Sequence, residues 1–237
     1  MRTTAFAPFF QSNATAIELL TRGGMPRHPR IFIPGISHHV IQRGNSRCVI
    51  FRVPADYRFF LSLLARMSRK YRADIHGYVL MTNHFHLIVT PGVASSLPRM
   101  MQGIGRLYVP FYNERYERTG TLWERRYRSS VLHDERYWMT CLRYVELNPV
   151  RSGLTDRPEK YPWSSYRAHA FGREDGLLSP HPLYATLGTT DAVRQQAWRS
   201  MCQAPIPDAD LDRVRQAVHA GHAIGEPAFT ESQEAQP

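Results

Sequence analysis

The sequence predicts an α+β fold, in which an antiparallel sheet is covered by helices. Segments that alternate between apolar and other residues, as strands do, are interspersed with segments whose apolar residues recur at helical spacing. Two predicted strands are joined by Thr82-Asn83 alone, which is long enough only for a turn or bulge and therefore predicts a hairpin. The predicted strands are 38–43, 75–81 and 84–90, and the first predicted helices are 56–71 and 95–116.

Prolines and capping residues set the helix boundaries. Pro54 precedes the first helix, and Pro110 is a candidate interruption of the second. His133-Asp134 can cap a later helix that runs to Leu147, and Pro149 is expected to stop it.

Both ends of the chain are predicted to lie outside the central domain, which we place at 25–170. Residues 1–24 have little pattern and are expected to be an N-terminal extension, with Met25 as an alternative start to Met1. Residues 171–225 are predicted to be a helical C-terminal extension, and the polar tail 226–237 is expected to be disordered. Within the extension, the predicted helices are 191–201 and 208–219.

The composition is that of a cytoplasmic globular protein. Of its 237 residues, 43% are hydrophobic and 11% aromatic, enough for a sizeable core. No stretch approaches the roughly 20 apolar residues of a membrane-spanning helix, so no membrane partner is expected. The three cysteines are widely spaced and form no C-x-x-C pair, which favours reduced thiols.

The charge balance predicts a polyanionic partner. The net charge is +10, and Lys70 and Lys160 are the only lysines among 30 basic residues. Arginine binds phosphate in a bidentate manner and stacks on bases, so this excess is typical of nucleic-acid-binding proteins. A biased genomic base composition also replaces lysine by arginine, but it does not account for the net charge. Residues 205–237 carry −4, so the basic character belongs to the preceding body of the chain.

His84-Phe85-His86 is the most informative local motif. On a strand, both imidazoles point to one face and Phe85 points to the other, into a core. Two neutral imidazoles side by side are half of a divalent-metal site. The alternative is a pair of polar residues on the solvent-exposed face of an antiparallel strand. His38 and His39 are interpreted as ordinary strand residues.

Tyr144 and Asn148 form the second candidate pair. Their spacing of four places them one turn apart on one face of a helix. A tyrosine can act as a nucleophile when a charge or a metal activates it, and an asparagine oxygen can bind Mg²⁺ or Mn²⁺ together with two histidines. Each residue also has an ordinary explanation, since tyrosines pack cores and asparagine before proline ends helices. Other tyrosines compete for the role of nucleophile: Tyr108, Tyr112, Tyr116, Tyr127 and Tyr137.

Arginines interleaved with aromatic residues predict a surface for single-stranded DNA, where phosphates need charge and bases need stacking partners. The same residues could instead be solvated arginines and packed aromatics, and for Trp123 a core role is slightly favoured over base stacking. The candidate DNA-binding residues are Arg43, Arg106, Arg118, Arg125, Arg126, Arg128 and Trp123.

In their order along the chain, these motifs resemble the REP-associated tyrosine transposases, bacterial members of the HUH superfamily of single-strand DNA transposases. The resemblance spans roughly residues 25–188. It is carried by Ile36-Ser37-His38-His39-Val40-Ile41-Gln42-Arg43-Gly44-Asn45, Met81-Thr82-Asn83-His84-Phe85-His86-Leu87, Gly120-Thr121-Leu122-Trp123-Glu124-Arg125-Arg126-Tyr127, Tyr144-Val145-Glu146-Leu147-Asn148-Pro149-Val150-Arg151 and Trp163-Ser164-Ser165-Tyr166.

The resemblance implies an RRM-like or ferredoxin-like catalytic fold and a specific chemistry. It implies that His84, His86 and Asn148 hold Mg²⁺ or Mn²⁺, and that Tyr144 attacks a DNA phosphodiester to leave a 5′-phosphotyrosine and a free 3′-hydroxyl. Relatives often carry glutamine at the amide position, and asparagine is shorter. The implied function is an endonuclease and transposase that cleaves and rejoins hairpin DNA during DNA recombination.

Two other functions remain open at this point. One is a catalytically silent, hairpin-binding regulatory protein, and the other is a metal-dependent phosphodiesterase that uses water, with Tyr144 merely structural. The DNA target and the choice between monomer and homodimer are also left open.

Overall fold

The structure, a computed structural model, describes residues 32–132 and 134–220. Several predicted features lie outside the described residues: the N-terminal extension at 1–24, the alternative start at Met25, the candidate capping residue His133 and the tail at 226–237. Four strands form one antiparallel sheet in the order β2-β3-β1-β4, with helices on both faces, so the predicted α+β class is confirmed. The strands are β1 (Ser37–Arg43), β2 (Ala73–Leu80), β3 (His84–Pro91) and β4 (Arg128–Leu132).

The register between β1 and β3 decides which side chains meet. Ile41 pairs with His86, and Arg43 pairs with His84. Because paired residues share a face, the β1 residues at 39, 41 and 43 lie on the same side of the sheet as both histidines of β3. We call this side the histidine face and the other side the aromatic face.

Two long helices cover the aromatic face. Helix α1 (Pro54–Tyr71) begins where the Asp56 carboxylate accepts hydrogen bonds from the backbone N–H groups of Arg52 and Val53. Helix α2 (Ser96–Arg115) continues through Pro110, so the candidate interruption there is not observed. The core between helices and sheet is rich in buried aromatic and aliphatic side chains, among them Phe51, Phe60, Phe85, Leu87 and Tyr108.

Helix α3 (Glu135–Glu146) covers the histidine face. Asp134 caps it by accepting from the backbone N–H groups of Arg136 and Tyr137, as the sequence predicted for this residue. The helix packs closely on β2 at Gly77, where a Cβ atom would lie 2.2 Å from Leu142 Cδ1. A larger residue at position 77 would therefore force the Leu142 side chain or helix α3 to move.

The chain does not stop being helical at Pro149, which corrects the prediction for this residue. Helix α3 ends at Glu146, Leu147 keeps helical torsion angles, and the short helix α4 (Asn148–Arg151) follows with Pro149 in its first turn. Proline is well tolerated there because the first N–H groups of a helix have no intrahelical acceptor.

The remaining elements close the histidine face. Short helices α5 (Tyr166–Phe171) and α6 (Pro182–Ala185) precede α7 (Asp191–Gln203) and α8 (Asp208–Ala220). Helices α7 and α8 confirm the helices predicted in the C-terminal extension, whereas β4, α5 and α6 were not predicted. Helix α7 packs on α5, and α8 packs on β4, α3 and β1. Among the described residues, no helix is long and apolar enough to cross a membrane.

Candidate active site

The alternation predicted for His84-Phe85-His86 is confirmed. Phe85 is fully buried on the aromatic face, where its ring lies 4.8 Å from that of Phe60. His86 points to the opposite face but is only 2% exposed, because helices α3 and α4 cover it. The alternative of a solvent-exposed strand face is therefore wrong for His86, and a buried polar side chain needs partners there.

His86 is the centre of a buried polar cluster. Its Nε2 lies 3.1 Å from Asn148 Nδ2, and its Nδ1 lies 2.8 Å from His39 Nε2. The ring of His84 is 5.1 Å from that of His86, and the Tyr144 ring lies edge-on at 5.8 Å. The structure thus brings together all four residues that the sequence named for metal binding and catalysis.

His84 has a defined tautomer. The Asn83 side chain donates from Nδ2 to the carbonyl of Arg47, at 3.3 Å, so its Oδ1 is the atom that faces His84 Nδ1 at 2.7 Å. An amide oxygen only accepts hydrogen bonds, so His84 must carry its hydrogen on Nδ1. The lone pair of a neutral His84 is therefore on Nε2.

The histidines of this cluster are electrically neutral near pH 7. Burial lowers the pKa of His84 to about 4, with the Arg43 charge acting in the same direction. Burial lowers the pKa of His39 to about 3 and that of His86 well below its usual value, where the neighbouring histidines and the charges of Arg43 and Arg151 add to the effect. Neutral imidazole is the form that binds metal ions.

The side chains of the cluster, two neutral imidazoles and one amide, are of types that can bind a divalent cation. The rings of His84 and His86 are neighbours and the Asn148 amide nitrogen contacts His86, but within 32–132 and 134–220 no three His, Cys, Asp or Glu side chains are grouped for metal binding. Without a carboxylate, the protein neutralises none of the cation's charge. We therefore expect phosphate oxygens and water to supply the other ligands, as is common for Mg²⁺ sites.

Tyr144 lies at the edge of this cluster. Its side chain is 8% exposed and stands edge-on to the His39 ring at 6.0 Å. The Arg151 guanidinium lies 4.2 Å from the centroid of its ring. A cation at this position can bind an incoming phosphate next to the phenol.

Several competing tyrosines have structural roles. The hydroxyls of Tyr108 and Tyr112 donate to backbone carbonyls, and that of Tyr116 donates to Asp56. The Tyr137 hydroxyl contacts Arg213 of α8, away from the two histidines of β3.

The part of the chain that forms the sheet and contributes the candidate site matches a known protein family. Residues 32–148 match the family described as "Transposase IS200 like". The chain belongs to the IS200-like transposase family. No curated protein matches it.

A solved structure of a REP-associated tyrosine transposase bound to a REP hairpin has a similar fold. The TM-score is 0.50 at 16% sequence identity, and the match covers 66% of this chain and 93% of that chain. At this identity the likeness shows the fold alone.

The predicted DNA-binding residues of this IS200-like transposase lie in different parts of the fold. Arg43 and Arg128 occupy strand positions on the histidine face, Arg43 directly opposite His84. Arg106, Arg125 and Arg126 are exposed elsewhere.

Arg118 and Trp123 lie toward the other side of the molecule. Arg118 lines a cavity of about 500 Å³ beside Thr82. Trp123 is half-buried, with its ring centroid 6.1 Å from both Tyr108 and Phe85. This packing matches the core role that the sequence slightly favoured for Trp123.

The arginine-rich segment is anchored next to the histidines. The backbone N–H of Glu124 donates to the carbonyl of Arg43, and the Gln42 amide donates to the carbonyl of Arg125, at 3.0 and 2.8 Å. The segment 122–128 thus continues along the end of β1 before entering β4.

Sequence reasoning missed three residues of the site: His39, Asn83 and Arg151. His39 was interpreted as an ordinary strand residue, yet it contacts His86 directly. Asn83 and Arg151 lie within the recognised motifs, but local spacing carries no sign that one bonds His84 and the other covers Tyr144.

Proposed function

We propose that this chain is a metal-dependent, single-strand DNA transposase that cleaves and rejoins DNA at REP-like hairpins through a 5′-phosphotyrosine at Tyr144. The observation that carries the proposal is the convergence of Tyr144 and Asn148 on His86. Membership of the IS200-like transposase family supports it.

The residues divide the chemistry between them. His84 and His86 would hold Mg²⁺ or Mn²⁺ through Nε2, together with the Asn148 amide oxygen. When bound, the cation would polarise the scissile phosphate and offset the charge of the transition state. Arg151 is placed to bind a non-bridging phosphate oxygen beside the phenol ring.

The bond changes conserve the phosphodiester. The Tyr144 hydroxyl oxygen forms a bond to phosphorus and gives up its proton to solvent, while the bond to the 3′ oxygen breaks and that oxygen takes a proton. Attack by a 3′-hydroxyl on the phosphotyrosine reverses these changes and releases the tyrosine. No nucleotide cofactor is required, which suits a recombinase better than a hydrolytic nuclease.

The partner proposed is a DNA hairpin with single-stranded flanks. The REP-associated transposase with the similar fold is bound to a REP hairpin. The net charge is +10, and nearly all of the basic residues are arginines, which supports a nucleic-acid partner for this chain as well.

One experiment separates the proposal from its two alternatives. The full chain is incubated with labelled hairpin DNA and Mg²⁺ or Mn²⁺ and then denatured. A covalent adduct that survives denaturation supports the transposase. Cleavage without an adduct would indicate a phosphodiesterase that uses water, and binding without cleavage would indicate a silent regulatory protein.

A further inference from the structure

We propose that His39 is a positioning residue that holds the His86 imidazole in the tautomer whose Nε2 is free to bind a metal. The inference rests on the proposed function, because it concerns the same site. Nothing in the sequence distinguished His39 from its neighbour His38, and only the packing of β1 against β3 separates them.

The contact between the two rings is close and shielded. His39 is fully buried, and its ring lies nearly parallel to that of His86, with 5.1 Å between centroids and 17° between planes. Only 2.8 Å separates His39 Nε2 from His86 Nδ1, which is a hydrogen-bond distance. At this distance one nitrogen of the pair must donate a hydrogen and the other must accept it.

The direction of this bond decides whether His86 can bind a metal. If His86 donates from Nδ1, its Nε2 carries a lone pair. If His39 donates instead, the hydrogen of His86 moves to Nε2 and blocks that atom. The Asn148 amide nitrogen faces His86 Nε2 at 3.1 Å, and a donor at this position selects the lone pair on Nε2.

The same tautomer then sets the state of His39. When His39 accepts at Nε2, its hydrogen is on Nδ1, an atom that is buried without a partner in the described part of the chain. Ser130 lies opposite His39 on β4, and its hydroxyl is likewise buried and unpartnered among the residues described.

The two candidate metal ligands, His84 and His86, are oriented in the same way, by a side chain that contacts Nδ1. Asn83 engages Nδ1 of His84 and His39 engages Nδ1 of His86, so each ring is oriented with Nε2 available. Metal-binding histidines generally donate their other N–H to such a partner, and loss of the partner typically weakens metal binding by about 10- to 100-fold.

The test compares His39→Leu, His39→Gln and the control His38→Leu in the full chain. Each is made in a Tyr144→Phe background, and Mn²⁺ binding is titrated by electron paramagnetic resonance with a hairpin oligonucleotide present. Glutamine places an acceptor oxygen near the former Nε2, whereas leucine removes it. His38 is equally buried but points to the aromatic face, with its ring 5.6 Å from Phe32.

We expect His39→Leu to weaken Mn²⁺ binding by about 10- to 100-fold, His39→Gln to restore most of the affinity, and His38→Leu to leave it unchanged. If His39→Leu bound Mn²⁺ as tightly as the Tyr144→Phe parent, the inference would be overturned, and an adduct formed by the unmodified chain would still support the proposed function. Absence of both Mn²⁺ binding and adduct in the unmodified chain would overturn the proposed function and this inference together.

A second readout does not depend on the leucine variant being folded. The two-bond ¹H–¹⁵N correlations of the histidine rings report the tautomer of His86 in the metal-free, unmodified chain. A hydrogen on Nδ1 supports the proposal, and a hydrogen on Nε2 contradicts it.

Discussion

The two faces of the sheet are formed by the same strands but bury very different side chains. On the aromatic face, Phe85 and Leu87 pack against helices that contribute mostly aromatic and aliphatic residues. On the histidine face, alternate residues of the same strands place His39 and His86 beneath Tyr144 and Asn148. One face thus supplies the rigid core, and the other holds polar groups whose burial must be compensated by partners.

The histidine face also contains a buried carboxylate that ties α3 to the C-terminal helices. Glu146 is fully buried and accepts hydrogen bonds from the Ser165 hydroxyl, His169 Nδ1 and Trp198 Nε1, at 2.5, 2.6 and 2.9 Å. It lies two residues after Tyr144 in the sequence. Helix α7, which carries Trp198, therefore helps to fix the helix that presents the candidate nucleophile.

The largest expected effect is on adduct formation, and it comes from removing the Tyr144 hydroxyl on the histidine face. Removal of the Tyr108 hydroxyl on the aromatic face is the comparison. Tyr144→Phe should abolish the covalent DNA adduct while hairpin binding stays nearly intact, because it removes only the hydroxyl that we propose as the nucleophile. Tyr108→Phe on the aromatic face should keep the adduct and lose about 1 kcal/mol of stability with its hydrogen bond to Ile50. Adduct formation by the Tyr144 variant would move the nucleophile elsewhere, with Tyr137 examined first.

The three residues of the histidine motif should divide between the faces. Phe85→Ala should lower the free energy of unfolding by roughly 3–5 kcal/mol, because it empties a fully buried site. His84→Ala and His86→Ala should instead lose metal-dependent cleavage. Urea denaturation and adduct assays on all three variants check this, and a normally stable Phe85→Ala protein would contradict the assignment of faces.

Glu146→Gln tests whether the buried carboxylate stabilises the helix that carries Tyr144. The amide leaves one of the three donors without an acceptor, so we expect a loss of about 1–3 kcal/mol in the free energy of unfolding. Glu135→Gln at the exposed start of α3 is the matched control and should change stability little. Equal stability of the two variants would mean that Glu146 does not hold α3 to α7.

The dependence of stability on pH tests the effect of His38, the buried histidine on the aromatic face. Burial lowers the pKa of His38 to about 4, whereas the unfolded chain takes up a proton near 6.5. Its contribution to stability is therefore complete above pH 6.5 and falls as the pH drops toward 4, by up to about 1.4 kcal/mol per pH unit. The stability of His38→Leu should depend less steeply on pH in this window, and parallel curves for the two proteins would refute the prediction.

The smallest effect concerns the arginine-rich segment. Replacing Arg125, Arg126 and Arg128 by Ala should weaken hairpin binding and lower the slope of log affinity against log salt, by roughly 0.7 for each lost phosphate contact. Trp123→Ala should lower thermal stability and leave the slope unchanged, since its ring packs on Tyr108. An unchanged slope in the triple variant would remove this segment from the DNA-binding surface.

The sequence by itself determined the elements whose patterns are local. Alternation along β1 and β3, helical spacing in α1 and the Asp134 cap were all readable because each depends on neighbours a few residues apart. The same periodicities predicted that His84 and His86 share a face. The spacing of Tyr144 and Asn148 also predicted that they lie on the same side of a helix. In the structure, one helix ends and the next begins between them, at Leu147.

Only the tertiary structure decided what depends on pairing across the chain. The strand β4 is a short segment, Arg-Ser-Ser-Val-Leu, and its strand conformation follows from its hydrogen bonds to β1. The contact between His39 and His86 requires the exact register of β1 and β3, because a slip of one residue would turn His39 to the other face. Local spacing carries no information about register between distant strands, so the contact between His39 and His86 became visible only in the folded molecule.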